Sequence, residues 1–523
     1  MRWIVALASA GLIAAAPPAE IPVRLDVATP QPLAGRLIVF AEPVKPGEKA
    51  PDSVDANPFA ATPTAVAARD VASLSNGEVA TVDADADAVP GPWSSLPPGR
   101  YRVQAVLDRN GDYNYGGRGP GDVVSKVTEV SLPGPVAPII LSETVPDSDP
   151  YEIRGDRRKA LAAYLAKTVA VDLVSARLSA FWGRPVHLRG WVALPPDYAA
   201  SGGKTWPTIY STHGFGGNLA SARWEAASRT KLMAEGWLPP MIWVFLDESS
   251  ATGTHEFADS VNNGPWGTAL TAELIPRLEK RYRMDAKASG RFLIGHSSGG
   301  WTGLWLQTHY PKLFGGTWST APDPSDFHDF SGIDIYAPAA NAYVADDGRP
   351  RPLIRADGKE LVTLRDFARM EAVLAPYGGQ FSSFEWVFSP RDKEGKPKRL
   401  FDRRTGKVDL AVAAYWRAHY DIAYRLERDW PRLRRDLDGK IHVAVGGADT
   451  FRLDGSVRRL KGVLDRLGAR SYISVIPGRD HFDLLEKDGD ARGLIRQFTW
   501  EMFAIARPGE RGPITMRRGD YAP

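Results

Sequence analysis

The pentapeptide Gly295-His296-Ser297-Ser298-Gly299 follows the apolar run Arg291-Phe292-Leu293-Ile294 and precedes a helical stretch, Trp301 to His309. A serine in that place is forced onto a tight strand-to-helix turn, and the flanking glycines permit a backbone approach that a side chain would block. Its hydroxyl stands exposed at a helix amino terminus, suited to nucleophilic attack on a carbonyl carbon. Such a nucleophile needs two N–H groups aimed at the developing oxyanion. Ser298 supplies one, and the loop His213-Gly214-Phe215-Gly216-Gly217 supplies the other, from Phe215 or Gly214. That loop fails as a dinucleotide fingerprint because Leu219 stands where the last glycine belongs. Gly202-Gly203-Lys204-Thr205 likewise fails as a phosphate loop, since Tyr198 replaces its first glycine.

A base and an orienting acid are also needed. Of nine histidines, His481 is best placed, in Pro477-Gly478-Arg479-Asp480-His481-Phe482 after the apolar run Tyr472–Ile476. Asp449 closes the run from Ile441 to Ala448 and is the expected acid; Asp454 is its rival, and Asp480 adjoins the histidine too closely to face its ring. Ser297, Asp449 and His481 stand in the chain order of an α/β-hydrolase. In these roles His481 takes the serine proton and returns it to the leaving group, while Asp449 fixes the tautomer. His213, His296, Trp266 and His328, and with them His255, are expected to line the substrate pocket. This chemistry requires no cofactor.

The elements that position these groups are strands alternating with helices. Apolar runs Thr208–Thr212, Met241–Leu246, Phe292–Gly295, Ile441–Val445 and Tyr472–Ile476 are separated by helical stretches. That pattern predicts a mainly parallel, doubly wound sheet covered on both faces, with chemistry beyond the carboxyl ends of its strands. Residues 20–148 read differently. Short alternating runs, Arg36–Phe40, Tyr101–Leu107 and Val124–Val130, predict a small β-sandwich-like domain, with long loops over residues 43–98. Within it, Asp108, Asn110, Asp112 and Asn114 place oxygen donors at every second residue, a spacing that can wrap Ca²⁺; a plain hairpin turn is the competing reading, because Gly119 occupies the twelfth position.

Composition narrows the options further. The 523 residues include no cysteine, which excludes disulfides, thiol nucleophiles, thiolate zinc sites and Fe–S clusters. The net charge of +3 divides into +1 from Arg2, −8 over residues 20–150 and +10 beyond, and 14 of 16 tryptophans follow residue 150. Met1-Arg2, the apolar run Trp3 to Ala16 and Pro17-Pro18-Ala19 read as a signal peptide over 1–19, implying a secreted or periplasmic protein. No later segment is apolar enough for stable membrane insertion, and nothing indicates nucleic acid.

From about Leu178 to Phe503 the chain resembles the putative-esterase (esterase D-like) family of the α/β-hydrolases. The likeness runs through Leu194-Pro195-Pro196-Asp197-Tyr198, the His213–Gly217 loop, Gly264-Pro265-Trp266-Gly267 and Glu273-Leu274-Ile275-Pro276 to the Ser297 turn. Carboxylesterases, feruloyl and acetyl-xylan esterases, siderophore esterases and acyltransferases belong to that family. The resemblance implies a carboxylic ester hydrolase over residues 149–523, acting on a small or polymer-linked ester through an acyl-enzyme, with Ser297, Asp449 and His481 in the triad places. An acyltransferase or serine peptidase could use the same triad, and an inactive carbohydrate- or surface-binding protein could keep the fold. The departure from the family is a long lid-like insertion, about 323–432, with an aromatic stretch at Phe327–Tyr336 and a basic one at Lys393–Lys407. Substrate choice is expected there. The basic stretch could favour an acidic substrate, although a solvated charged surface is the simpler reading.

Overall fold

A computed structural model describes residues 19–49, 51–147, 156–200 and 202–510. The expected signal segment, except its last residue, lies outside them. The chain forms two compact units. The first holds the sequence up to 145 without residues 57–61 and 111–119; these two segments belong to the second unit, together with everything from residue 146.

Among the described residues the second unit has an eight-stranded sheet. Its strands are β1 (Val169–Val174), β2 (His187–Ala193), β3 (Thr208–Thr212), β4 (Ile242–Leu246), β5 (Arg291–His296), β6 (Gly316–Thr320), β7 (Ile441–Gly446) and β8 (Ser471–Ile476), in the order β1-β2-β4-β3-β5-β6-β7-β8. β2 runs antiparallel to both neighbours, whereas every pairing from β4 through β8 is parallel. This is the α/β-hydrolase architecture. Central strands buried on both faces explain the unbroken apolar runs; Ile-Trp-Val-Phe-Leu of β4 is buried throughout. β1, β2 and β6 carry weaker sequence signals. β6 reads Gly-Thr-Trp-Ser-Thr, so its burial comes from its place between β5 and β7 rather than from apolar content.

Helix α1 (Leu219–Ala234) follows β3. It opens on Asn218, whose side chain accepts from the N–H groups of Ala220 and Ser221, closing a capping box that fixes where the loop after β3 ends. Helix α2 (Ser298–His309) follows β5 and is buried over nearly its whole length.

Between β6 and β7 lie a hairpin (Pro352–Ala356 with Lys359–Thr363) and helices α3 (Leu364–Leu374), α4 (Gln380–Phe388), α5 (Leu410–His419) and α6 (Ile422–Leu437). The expected lid-like insertion carries an aromatic cluster continuous with the core around the sheet. Phe327 and Phe330 are fully buried, with ring centroids 5.7 and 5.5 Å from that of Trp416, and Phe388 lies 5.2 Å from the same indole. In the basic stretch, Arg399 and Arg403 pair with the buried Glu385 at 2.7 and 2.9 Å. Those two arginines neutralise an interior carboxylate, so their charge is committed within the fold.

The first unit contains a nine-stranded sheet among the described residues. Two expectations are corrected there. The run Val124–Val130 is two strands, Val123–Ser125 and Thr128–Leu132, which pair with opposite ends of the strand Gly99–Asp108. Residues 43–98, expected as loops, include strands Ala65–Leu74, Val79–Asp83 and Ala88–Val89. The alanine-rich Ala65–Leu74 has little intrinsic strand preference and is held by antiparallel pairing along Leu33–Pro43. No helix among the described residues is long and apolar enough to cross a membrane.

Candidate active site

Ser297 joins β5 to α2 with φ 58° and ψ −124°. A side chain held in that region costs about 1–3 kcal/mol and persists only where its surroundings over-determine it. They do so here. The Ser297 N–H donates to the Thr320 carbonyl at 3.0 Å, while the Ser297 carbonyl accepts from Gly300, Trp301 and Asp323. Helix α2 also presses on the end of β3: a Cβ at Gly299 would lie 2.5 Å from the Thr212 carbonyl oxygen and 2.6 Å from that of His213. Only glycine allows that approach.

Asp449 follows β7, fully buried. Its Oδ1 accepts from the N–H groups of Phe451 (2.9 Å) and Leu453 (3.2 Å), and its Oδ2 lies 2.9 Å from His481 Nδ1. An ionised carboxylate only accepts, so Nδ1 carries the proton and Nε2 is left as the basic nitrogen. The two rivals are engaged elsewhere. Asp454 pairs with Arg355 (2.7 Å) and Arg458 (3.6 Å), and Asp480 accepts from Phe482 and Asp483 to turn the loop. His296 places its ring 4.5 Å from that of His481 and its Nδ1 3.0 Å from Thr320 Oγ1. Burial, reinforced by His481, pushes the His296 pKa well below the usual range and keeps it neutral.

The loop after β3 passes directly beside Ser297. A Cβ at Gly214 would stand 3.0 Å from Ser297 Cβ and 3.6 Å from its Oγ. His213 braces the loop: Nδ1 donates to the Gly214 carbonyl at 2.8 Å, and Nε2 lies 3.1 Å from Asp247 Oδ1. Burial disfavours its imidazolium, but the Asp247 hydrogen bond and the charges of Glu248 and Asp247 outweigh it, and the pKa is raised. Ser298 opens α2, so its amide lies among the first-turn N–H groups that have no intrahelical acceptor. Its hydroxyl donates to Asp323 Oδ2 at 2.6 Å; burial above all pushes the Asp323 carboxyl up to about 6. Behind α2, Thr302 Oγ1 donates to Glu248 Oε2 at 2.9 Å, and burial pushes Glu248 up to about 8.

Two other expected pocket residues make the following contacts. Trp266 stacks on His255 at 3.5 Å between centroids and donates from Nε1 to the Asn263 carbonyl. His328 lies 2.8 Å from Asp326 and, with Asp421, completes the only cluster among the described residues in which three His, Asp or Glu ligand atoms lie within 4.8 Å of one another. Asp421 there accepts from Phe327 N–H, Tyr336 Oη and Tyr424 N–H, capping α6. The expected calcium ligands are divided. Asp108 accepts from the Asn110 N–H in a turn of the first unit, while Asp112 and Asn114 belong to the second, where Asn114 Nδ2 donates to the carbonyls of Glu371 (2.8 Å) and Ala375 (3.0 Å).

Aromatic residues that the sequence did not mark complete the surroundings. The ring of Phe451 lies 4.8 Å from that of His481, and that of the exposed Phe482 lies 5.3 Å away. Their adjacency to Asp449 and His481 was an available signal. Phe59, 5.9 Å from Phe451 and 6.0 Å from Phe215, and Tyr115, 4.8 Å from Phe215, gave none for this site, being distant in the chain from the Ser297, Asp449 and His481 motifs.

A family model described as a putative esterase matches residues 182–454. Two curated relatives from Mycobacterium tuberculosis, Esterase MT1326 (strain CDC 1551 / Oshkosh) and Esterase Rv1288 (strain ATCC 25618 / H37Rv), are each 31% identical over 160 residues, covering 29% of this chain. The match takes in 34% of each relative, about a third of its length. Among solved structures, a ferulic acid esterase aligns at TM-score 0.38 and 16% identity, over 65% of this chain and 98% of its own. An S-formylglutathione hydrolase from Agrobacterium tumefaciens aligns at TM-score 0.36 and 14% identity, over 65% and 95%.

Proposed function

The chain belongs to the putative-esterase family, whose model spans more than half of it, and from that premise we propose a serine esterase that hydrolyses carboxylic esters through an acyl-enzyme on Ser297. The hydrogen-bonded Asp449–His481 pair beside the Ser297 turn is the observation that carries this reading. His481 Nε2 takes the Ser297 proton as Oγ attacks the ester carbonyl carbon. The oxyanion is held by the N–H of Ser298 and a loop N–H from Phe215 or Gly214. Collapse breaks the carbonyl–alkoxy bond, and the alcohol leaves with the proton from His481. Water, deprotonated by the same imidazole, then attacks the acyl-enzyme and releases the acid and Ser297. Asp449 keeps Nδ1 protonated throughout and stabilises the imidazolium.

The substrate is a small-molecule or polymer-linked ester met outside the cytoplasm; the basic start and apolar run at residues 1–19 support export. Labelling by a fluorophosphonate probe, together with hydrolysis of short nitrophenyl esters, tests the reading. Wild type should label and turn over, and Ser297→Ala should do neither; equal behaviour of the two would refute it. Product analysis with an added alcohol separates hydrolysis from acyl transfer.

A further inference from the structure

The two short segments from the first third of the chain that belong to the second unit, residues 57–61 and 111–119, meet the loop that flanks Ser297. That loop is braced at one end by His213 on Asp247. At its other end Gly216 is exposed, with φ 82°. Tyr115 holds that end: its hydroxyl donates to the Gly217 carbonyl, and its ring meets Phe215 edge-on at 4.8 Å. Tyr115 is itself fixed, because it lies in the helical turn Tyr113–Gly116, whose Asn114 donates to two carbonyls at the end of α3. Phe59 continues the contact. Its ring meets Phe215, Phe367 (4.9 Å) and Phe451, and Phe451 meets His481.

We propose that Tyr115 is a positioning residue for the oxyanion loop, and that Phe59 closes the apolar wall between that loop and the base. The proposal rests on the serine-esterase reading. A donor to a developing oxyanion acts only if it is held in place before the reaction, because a loop that reorganises during attack forfeits the electrostatic gain. The Tyr115 hydroxyl touches loop backbone, so its effect falls on the chemical step. The Phe59 ring faces apolar neighbours, so its effect falls on substrate retention.

Steady-state hydrolysis of nitrophenyl esters by the full chain is the test, with active sites titrated by the fluorophosphonate probe. Tyr115→Phe keeps the ring and removes one hydrogen bond; kcat per titrated site should fall roughly tenfold with KM within about twofold. Phe59→Ala should raise KM severalfold and leave kcat per site within about threefold, and Phe59→Leu should recover most of the loss. Unchanged kcat in Tyr115→Phe, or a loss explained wholly by fewer titratable sites, overturns the positioning role. Unchanged KM in Phe59→Ala overturns the wall. In either case, an inactive Ser297→Ala beside an active wild type leaves the esterase reading standing. Activity retained by Ser297→Ala would refute that reading and this proposal with it.

Discussion

Replacing Asp449 by asparagine should disable the base while leaving the fold in place. Oδ1 of Asp449 accepts two backbone N–H groups, from Phe451 and Leu453, so the side-chain carbonyl of an asparagine has to remain there. The reverse orientation would set an NH2 against two N–H donors in a fully buried site, at about 1–3 kcal/mol for each unsatisfied group. The NH2 therefore faces His481 Nδ1, which then accepts a hydrogen bond where it now donates one. The ring proton moves to Nε2, and the lone pair that should receive the serine proton points away from it. A change of this kind is expected to lower kcat by about 10⁴-fold, equivalent to about 5.5 kcal/mol of transition-state stabilisation. Steady-state hydrolysis of nitrophenyl acetate, normalised to folded protein by circular dichroism, reads the loss. Asp454→Asn is the control: it weakens pairs with Arg355 and Arg458 and should cost less than about tenfold. Greater loss at Asp454 than at Asp449, or more than about 1% of wild-type kcat in Asp449→Asn, would refute the tautomer argument.

Two further predictions concern stability. Glu385 is buried and compensated by Arg399 and Arg403, and its Oε1 accepts the Leu400 N–H; Glu385→Gln should destabilise the protein by about 3 kcal/mol in urea unfolding, and a change under 1 kcal/mol would mean the pairs contribute little. Burial raises the Glu248 carboxyl from 4.5 to about 8 in the folded protein. Between those values the native state binds more protons than the unfolded one, so this group's contribution to stability is lost as pH rises from about 4.5 to about 8. Glu248→Gln should therefore gain stability over wild type by roughly a few kcal/mol at pH 8 relative to pH 5, and parallel unfolding free energies across that range would refute the assignment.

The chemistry-bearing turns were legible in the sequence because each has a local cause. The Ser297 turn needs Gly299 against the end of β3, and the neighbouring loop needs Gly214 against Ser297, so the glycine spacing records contacts with backbone atoms. The strand before Asp449 announced itself by an apolar run that two-sided burial requires, whereas the edge strand before His481 keeps its apolar run with only Ile473 buried. Weak strands stayed hidden for the opposite reason: β6 and Ala65–Leu74 are strands because their neighbours supply the pairing. What the rings of Trp266 and His328 stack on or pair with was not legible, because residue type and motif do not fix which partner a side chain meets.

The sequence by itself determined the esterase family and the α/β-hydrolase fold and singled out Ser297 and His481 as candidates, since these depend on residues a few positions apart on a strand, a turn and a helix. Tertiary structure decided which carboxylate meets His481, committed Arg399 and Arg403 to an interior glutamate, and brought Phe59 and Tyr115 to the loop beside Ser297. Those outcomes turn on the separation of groups far apart in the chain, and that distance is fixed only when the core between them is packed.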